Sequence, residues 1–358
     1  MNLTPVSGLG AKGPACFLVE TGDARLLLDL GYGPQPGLWP DVSGVGRVDA
    51  VLLSHSHNDH AGGLKLLGDV GNPRVFASEI VAGLIGKDHA NVEPLPLRGT
   101  TDVCGVRVTT GRNGHAPGGI WLHLAVGGGV LYMGDNCTES LLYAFDPPPP
   151  AATLIVDSSY GDYDISMADC LKTFDAVFDA PPVLLPVPAA GRGPEMALYL
   201  LRRGGALPHI DDGIRTGIGN LLERSRACLK PGVEPDLAHL QREAPAIDGA
   251  RGVMVSVSGD AMSGTARRLV TEWENQDSPA IVFTGYRPPG SPADRLTQSG
   301  RASALRWNVH PRVSDNARLV RETGAKTVLP AFGDARHLGA WQAAFAPAHV
   351  VLQGSAAL

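Results

Sequence analysis

Between residues 51 and 64 the chain reads VLLSHSHNDHAGGL, an apolar run that ends in three histidines and an aspartate within six positions. If the backbone stays extended beyond the strand, His55 and His57 project to the same side, where two imidazoles can share a metal ion. Asp59 and His60 follow as the chain turns into the AGGL segment, so they can aim at a second position. Two-metal hydrolases hold their ions about 3.5–4 Å apart. Imidazole and carboxylate without thiolate suit Zn²⁺, with Mn²⁺ or Fe as alternatives. The competing reading is a histidine-rich surface loop. So many ligand types between a strand end and a pair of glycines argue against it.

Such a cluster needs rigid elements behind it. The runs ARLLLDL from residue 24, DAVLLS from 49 and PRVFAS from 73 read as buried strands, and AGGLKLLG and SEIVAGLIG between or after them as short helices. From 101 to 135 the segments VRVTT, IWLHLAV and GVLYMGD read as strands, with a turn at the three glycines 127–129. DPPPP at 146–150 excludes regular helix or central strand and reads as a surface connection into TLIVDSS. A second alternating block follows: SMADCLKTFDAVFDA with Ser166 as N-cap, PVLLPVP, GPEMALYLLRRGG, DDGIRTGIGNLLE, GVMVSVSG, GTARRLVTEWENQ and PAIVFTG. Strands alternating with helices predict layered α/β architecture.

A chain of 358 residues can bury a large core as one domain or two. It is 44% hydrophobic and 18% charged, and no apolar run is long enough to predict a membrane helix. The first residues do not read as a secretory signal. Five scattered cysteines without a CxxC pair fit neither a disulfide framework nor a thiolate zinc site, so a reducing cytoplasm is expected. The net charge of −6 disfavours non-specific attraction to nucleic acid.

HxHxDH followed by AGG resembles the signature of the metallo-β-lactamase fold. Further matches come in order. NGHAPGG supplies His115 and LYMGDN supplies Asp135, which the resemblance implies are the next ligand histidine and a metal-bridging aspartate. The second half is similar to the β-CASP branch, a nuclease group that processes RNA. IVDSSYGD resembles its first motif, with Asp157 as the acidic residue, and PVPAAGRGPEMALYL resembles its strand, glycine-arginine turn and helix. VFTGYRPPGSPADRL resembles the return segment, and RWNVHPRVSDNARLV places His310 at the second-motif histidine. The implied fold is an α/β protein: an αββα metallo-β-lactamase sandwich over 1–163 and 301–358, with an α/β β-CASP-like domain inserted over 164–300.

One departure stands out. The branch ends a late strand in a Val-His-Gly-Glu-like element whose histidine completes the second metal site, whereas this chain reads VLPAFGDARHLGAW, with Phe332 at that position. A phenyl ring has no lone pair for a metal, so either the second site is weakened or absent, or Asp334 or His337 reaches in as a substitute.

The resemblance implies that Zn²⁺ at His55, His57 and His115, bridged by Asp135 to a second ion on Asp59 and His60, activates a water to attack phosphorus. Asp59, Asp157 and His310 are the expected catalytic residues, His310 being the proton donor that Asp157 orients. Arg192 and the turn at Ser263 and Gly264 are expected to contact substrate phosphates. The expected function is a metal-dependent phosphodiesterase or ribonuclease acting on RNA, or on single-stranded DNA, in a cleft between the two blocks; pairing as a homodimer is one option, and no membrane is involved. Residues 161–300 carry 14 Lys plus Arg against 18 Asp plus Glu, hardly the basic face of a polynucleotide binder. Hydrolysis of a small ester or thioester is therefore the alternative, and a catalytically silent scaffold the second alternative. His89, His123, His209, His239 and His349 fall in no ligand spacing.

Overall fold

Side chains alternate between two buried layers along the central strands of the first structural unit. In Cys16–Glu20 the chain turns Phe17 and Val19 to one face and Leu18 to the other; in Arg25–Leu28 it does the same with Leu26 and Leu28 against Leu27. That is the period-two signature of a strand buried on both sides. The computed structural model describes residues 1–86, 91–352 and 354–358, so His89 lies outside the described residues. The chain divides into one unit of Met1–Thr138, Ala144–Asp164 and His310–Leu358 and a second of Glu139–Tyr143 and Ile165–Val309.

The first unit contains two seven-stranded sheets among the described residues. One runs in the order Ala356–Ala357, Asn2–Ser7, Cys16–Glu20, Arg25–Leu28, Ala50–Leu52, Arg74–Ser78, Val92–Leu95. The other runs His349–Val350, Thr327–Ala331, Thr153–Asp157, Val130–Tyr132, Ile120–Leu124, Val106–Arg112, Gly99–Val103. Their inner faces share one core that includes Phe17, Leu28 and Leu52 from the first sheet and Leu122, Tyr132, Ile155 and Leu329 from the second. The outer face of the first sheet packs against Leu30, Leu64, Val70 and Val81, and that of the second against the helices Val313–Thr323 and Leu338–Phe345. The layers are therefore helix, sheet, sheet, helix.

Parallel pairing fixes where the ligand-type residues fall. Arg25–Leu28, Ala50–Leu52 and Arg74–Ser78 run parallel, as do Val130–Tyr132, Thr153–Asp157 and Thr327–Ala331. Parallel neighbours end at the same edge, so Asp29 and His55 leave their sheet together, and Asp135, Asp157 and Phe332 leave theirs together.

The stretch after the histidines, AGGLKLLG, does not form the short α-helix expected from the sequence. Asn58–Ala61 makes one α turn, and Leu64–Val70 continues as 3₁₀. The two glycines between them explain the break. A Cβ on Gly62 would meet the Asn58 carbonyl oxygen at 2.5 Å, and one on Gly63 would meet the Gly31 and Leu30 carbonyl oxygens at 2.5 and 2.7 Å. Gly63 donates its N–H to Leu30 O at 2.8 Å, so the bare backbone docks on the strand exit that carries Asp29. Gly63→Ala should destabilise the fold by about 3 kcal/mol through this overpacking, read as a lowered urea midpoint.

The second unit is built on a five-stranded parallel sheet in the order His209–Ile210, Val253–Val257, Val183–Val187, Ala280–Phe283, Ala302–Ala304. Helices Met167–Phe178, Arg192–Arg202, Asp212–Arg224 and Gly264–Trp273 lie where the sequence periodicity predicts them. Ser166 caps the first by accepting from Asp169 N, as its residue type predicts. Glu195, 3% exposed, is an unforeseen buried carboxylate. It accepts from Ser140 Oγ at 2.8 Å, Trp307 Nε1 at 3.0 Å and the backbone N–H of Leu141 and Leu142. Burial pushes its pKa up despite these donors.

Candidate metal centre

The segment His55 to His60 leaves Ala50–Leu52 and closes into one helical turn, so ligands from adjacent sequence positions face a common point. Four groups of side chains each bring their potential ligand atoms within 4.8 Å of one another: His55, His57, His115 and Asp135; Asp29, His55 and His60; Asp59, His60 and Asp135; and Asp135, Asp157 and His310. Asp135 belongs to three of the four. Its Oδ2 lies 3.8 Å from His55 Nε2 and 3.5 Å from His115 Nε2, while its Oδ1 lies 3.2 Å from His60 Nε2. His115 Nε2 and His57 Nδ1 are 3.2 Å apart.

His115 comes from the loop between Val106–Arg112 and Ile120–Leu124, where its backbone N–H is held by Asn113 Oδ1 at 3.1 Å. Neither strand predicts that this histidine should reach the HxHxDH segment; the pairing of the second sheet brings it there.

Asp29 is the participant that sequence reasoning missed. Fully buried and left-handed at φ 58°, it accepts from Ser54 N and Ser54 Oγ, both at 2.6 Å, from Tyr132 OH at 2.5 Å and from His60 Nδ1 at 2.7 Å. A carboxylate on Nδ1 fixes the imidazole so that Nε2 faces Asp135. The available signal was an aspartate closing the apolar run LLL just before a glycine, which also reads as an ordinary strand-end turn. Asp29→Ala leaves buried donors unpaired. We expect a loss of about 3–5 kcal/mol in denaturant unfolding.

The electrostatics suit a cation. Burial drives the pKa of His55 well below the ordinary imidazole value, aided by its histidine neighbours, so it stands neutral with a lone pair to give. Burial opposes charge on His60, but Asp135 and Asp29 outweigh it and hold its pKa well above the ordinary value. For Asp135 burial pulls upward, yet His60 and His310 hold its carboxyl well below the usual range. Because imidazole ligands must be neutral, cation uptake should release protons, and apparent affinity should fall as the solution is acidified below the ordinary imidazole range. The expected slope is about tenfold per pH unit for each proton displaced, read from zinc titrations at several pH values.

His310 also arrives at this centre. Its Nδ1 lies 2.7 Å from Asp157 Oδ2 and 3.7 Å from Asp135 Oδ2, and its ring sits between those of His115 and Tyr160, with centroids 4.9 and 5.2 Å away. Asp157, fully buried at a strand end, is held by the N–H groups of Asn136 at 3.2 Å and Ser159 at 3.0 Å.

Other expected residues fall elsewhere. His337 is not brought into any of the four groups: its Nδ1 faces Asp162 Oδ1 at 3.1 Å, and its ring lies against Gly161 and Trp341. Arg192 opens the helix Arg192–Arg202 in the second unit, with Nη1 3.3 Å from Thr284 Oγ1. Ser263 is the N-cap of Gly264–Trp273 in the same unit. Both helices follow strands of the parallel sheet, so Arg192, Ser263 and Gly264 share its C-terminal edge. His123, His209 and His349 lie on or beside sheet strands, outside every ligand group.

The sequence model of the Metallo-beta-lactamase superfamily matches residues 9–187, and the chain belongs to this superfamily. Its second unit marks the β-CASP branch, and the whole is the αββα sandwich with an inserted α/β domain. The chain is 25% identical to the Transcription termination factor FttA of Methanothermobacter thermautotrophicus, over 85% of this chain and 59% of that protein. It is 21% identical to the Endoribonuclease YSH1 of Saccharomyces cerevisiae, over 98% of this chain and 56% of that one. Against the Ribonuclease TTHA0252 of Thermus thermophilus the identity is 25%, over 87% of this chain and 86% of the relative. The chain thus spans less than two thirds of the first two. A crystal structure of a protein of unknown function from Enterococcus faecalis V583 has the same fold, with a TM-score of 0.63 at 14% identity, covering 100% of this chain and 99% of that one. No helix among the described residues is long and apolar enough to cross a membrane.

Proposed function

We propose that the chain is a metal-dependent phosphodiesterase that cleaves RNA. The observation that carries this reading is the convergence of His55, His57, His115 and Asp135 beside the Asp157–His310 pair, six side chains drawn from five separate segments. The fit to a cation is supported by His55 Nε2, a buried nitrogen with no hydrogen-bond partner among the described residues. Three imidazoles and a carboxylate are the donor set that zinc takes. A divalent cation held there would bring the pKa of a water toward neutrality and stabilise the charge that builds on phosphorus.

The remaining work falls to the chain's own residues. Asp157 accepts the Nδ1–H of His310, which leaves proton transfer to Nε2. A departing ribose alkoxide needs that proton, whereas a thiolate leaves without one. Asp29 keeps His60 from rotating, through the bond at 2.7 Å. Within the second unit, Arg192 and the N-terminal amides of Gly264–Trp273 are groups of the kind that bind phosphate. The names of the relatives, an endoribonuclease and a ribonuclease among them, support RNA over a small ester.

The test pairs two substrates. Purified zinc-loaded chain should cleave a labelled single-stranded RNA, a chelator should abolish cleavage, and added zinc should restore it. Hydrolysis of a thioester with the RNA left intact would overturn the phosphodiester reading in favour of the small-ester one.

A further inference from the structure

We propose that this chain holds a single divalent cation tightly, in the His55, His57, His115 and Asp135 set, and that Phe332 closes the Asp59, His60 and Asp135 set as a second site. The inference rests on the metal reading above and adds its stoichiometry. The first set presents four donor groups, enough to hold a zinc ion by itself, with a fifth position left for a water. The second presents three, and one of them, Asp135, is shared with the first.

The ring packed on His60 is that of Phe332, edge-on with its centroid 4.9 Å away, and a phenyl group has no lone pair to give. Nor is it a loose neighbour. Phe332 is 4% exposed, belongs to the core between the two sheets and packs against Phe17 at 6.2 Å. Its N–H donates to Gly8 O at 2.7 Å, and a Cβ on Gly8 would come within 3.2 Å of its ring. At φ 64° it sits in the left-handed region, which costs a side chain of this kind about 1–2 kcal/mol. Histidine is several-fold enriched there.

The side chains that follow do not compensate. Asp334 accepts the N–H of Arg336 at 2.9 Å as a helix cap, and His337 faces Asp162. Losing even an outer-shell partner of a ligand lowers metal affinity roughly 10- to 100-fold, and a missing donor costs no less. The three-donor set should therefore empty at cation concentrations that keep the four-donor set filled.

The 358-residue chain loaded with excess zinc and dialysed exhaustively against metal-free buffer should retain about one ion per chain by elemental analysis, and Phe332→His should raise this to about two. Should that variant fail to fold, Asp59→Asn provides an independent arm. Asp59 belongs to the second set alone, so this variant should keep its single ion. Two retained ions in the unaltered chain, loss of the ion from Asp59→Asn, or a folded Phe332→His that still holds one would each overturn the proposal. An unaltered chain that retains none would instead sink the metal reading itself.

Discussion

Replacing Asp135 by alanine should strip the cation from the purified chain and lower RNA cleavage by about 10³-fold or more, the scale on which a single charge-stabilising group matters. The size of the effect follows from position. Asp135 belongs to three of the four ligand groups, and its two oxygens face different partners, His55 and His115 on one side and His60 on the other. Neither of the buried carboxylates nearby is free to take over, because Asp29 is committed to Ser54, Tyr132 and His60 and Asp157 to His310 and two backbone amides. Elemental analysis and a cleavage assay on the same preparation, with circular dichroism to verify the fold, provide the check. Retained zinc with near-normal cleavage would remove Asp135 from the centre.

His310→Ala should behave in the opposite way, keeping the cation while slowing RNA cleavage about 10²- to 10⁴-fold, the range over which a positioned proton donor contributes. A second substrate makes the assignment specific. A phosphodiester whose leaving group is a nitrophenolate needs no proton to depart, so on it the variant should approach the unaltered chain. Equal slowing on both substrates would make His310 a structural or substrate-positioning residue, and loss of zinc would make it a ligand. The geometry favours the donor: Nδ1 is occupied by Asp157 at 2.7 Å, and the ring is wedged between His115 and Tyr160.

Much of this could be read before any coordinates, and the parts that could not share a cause. HxHxDH and its two glycines lie within nine residues, so spacing alone announced a cluster on a strand exit. The Asp157 and His310 pairing came from resemblance, since 153 residues separate them. Strands Asn2–Ser7 and Cys16–Glu20 escaped notice: the first holds a proline and polar residues, and only its position at a sheet flank makes it a strand. The helix Glu234–Glu243, with its early proline and few apolar positions, was equally quiet. Asp29 was invisible because all the partners of its carboxylate lie at least 25 residues away.

The sequence by itself determined the chemistry on offer: imidazoles and carboxylates rather than thiolates, a phenylalanine where a donor would extend the set, and continuous apolar runs that read as buried strands. Tertiary structure decided which of those groups meet. Parallel pairing carries the ends of distant strands to one edge, and there Asp29 locks His60, Asp157 locks His310, and His337 is drawn away to Asp162. A side chain's lone pair is a local property, but its usefulness depends on what lies within a few ångströms, and that is fixed only when both sheets close on their common core.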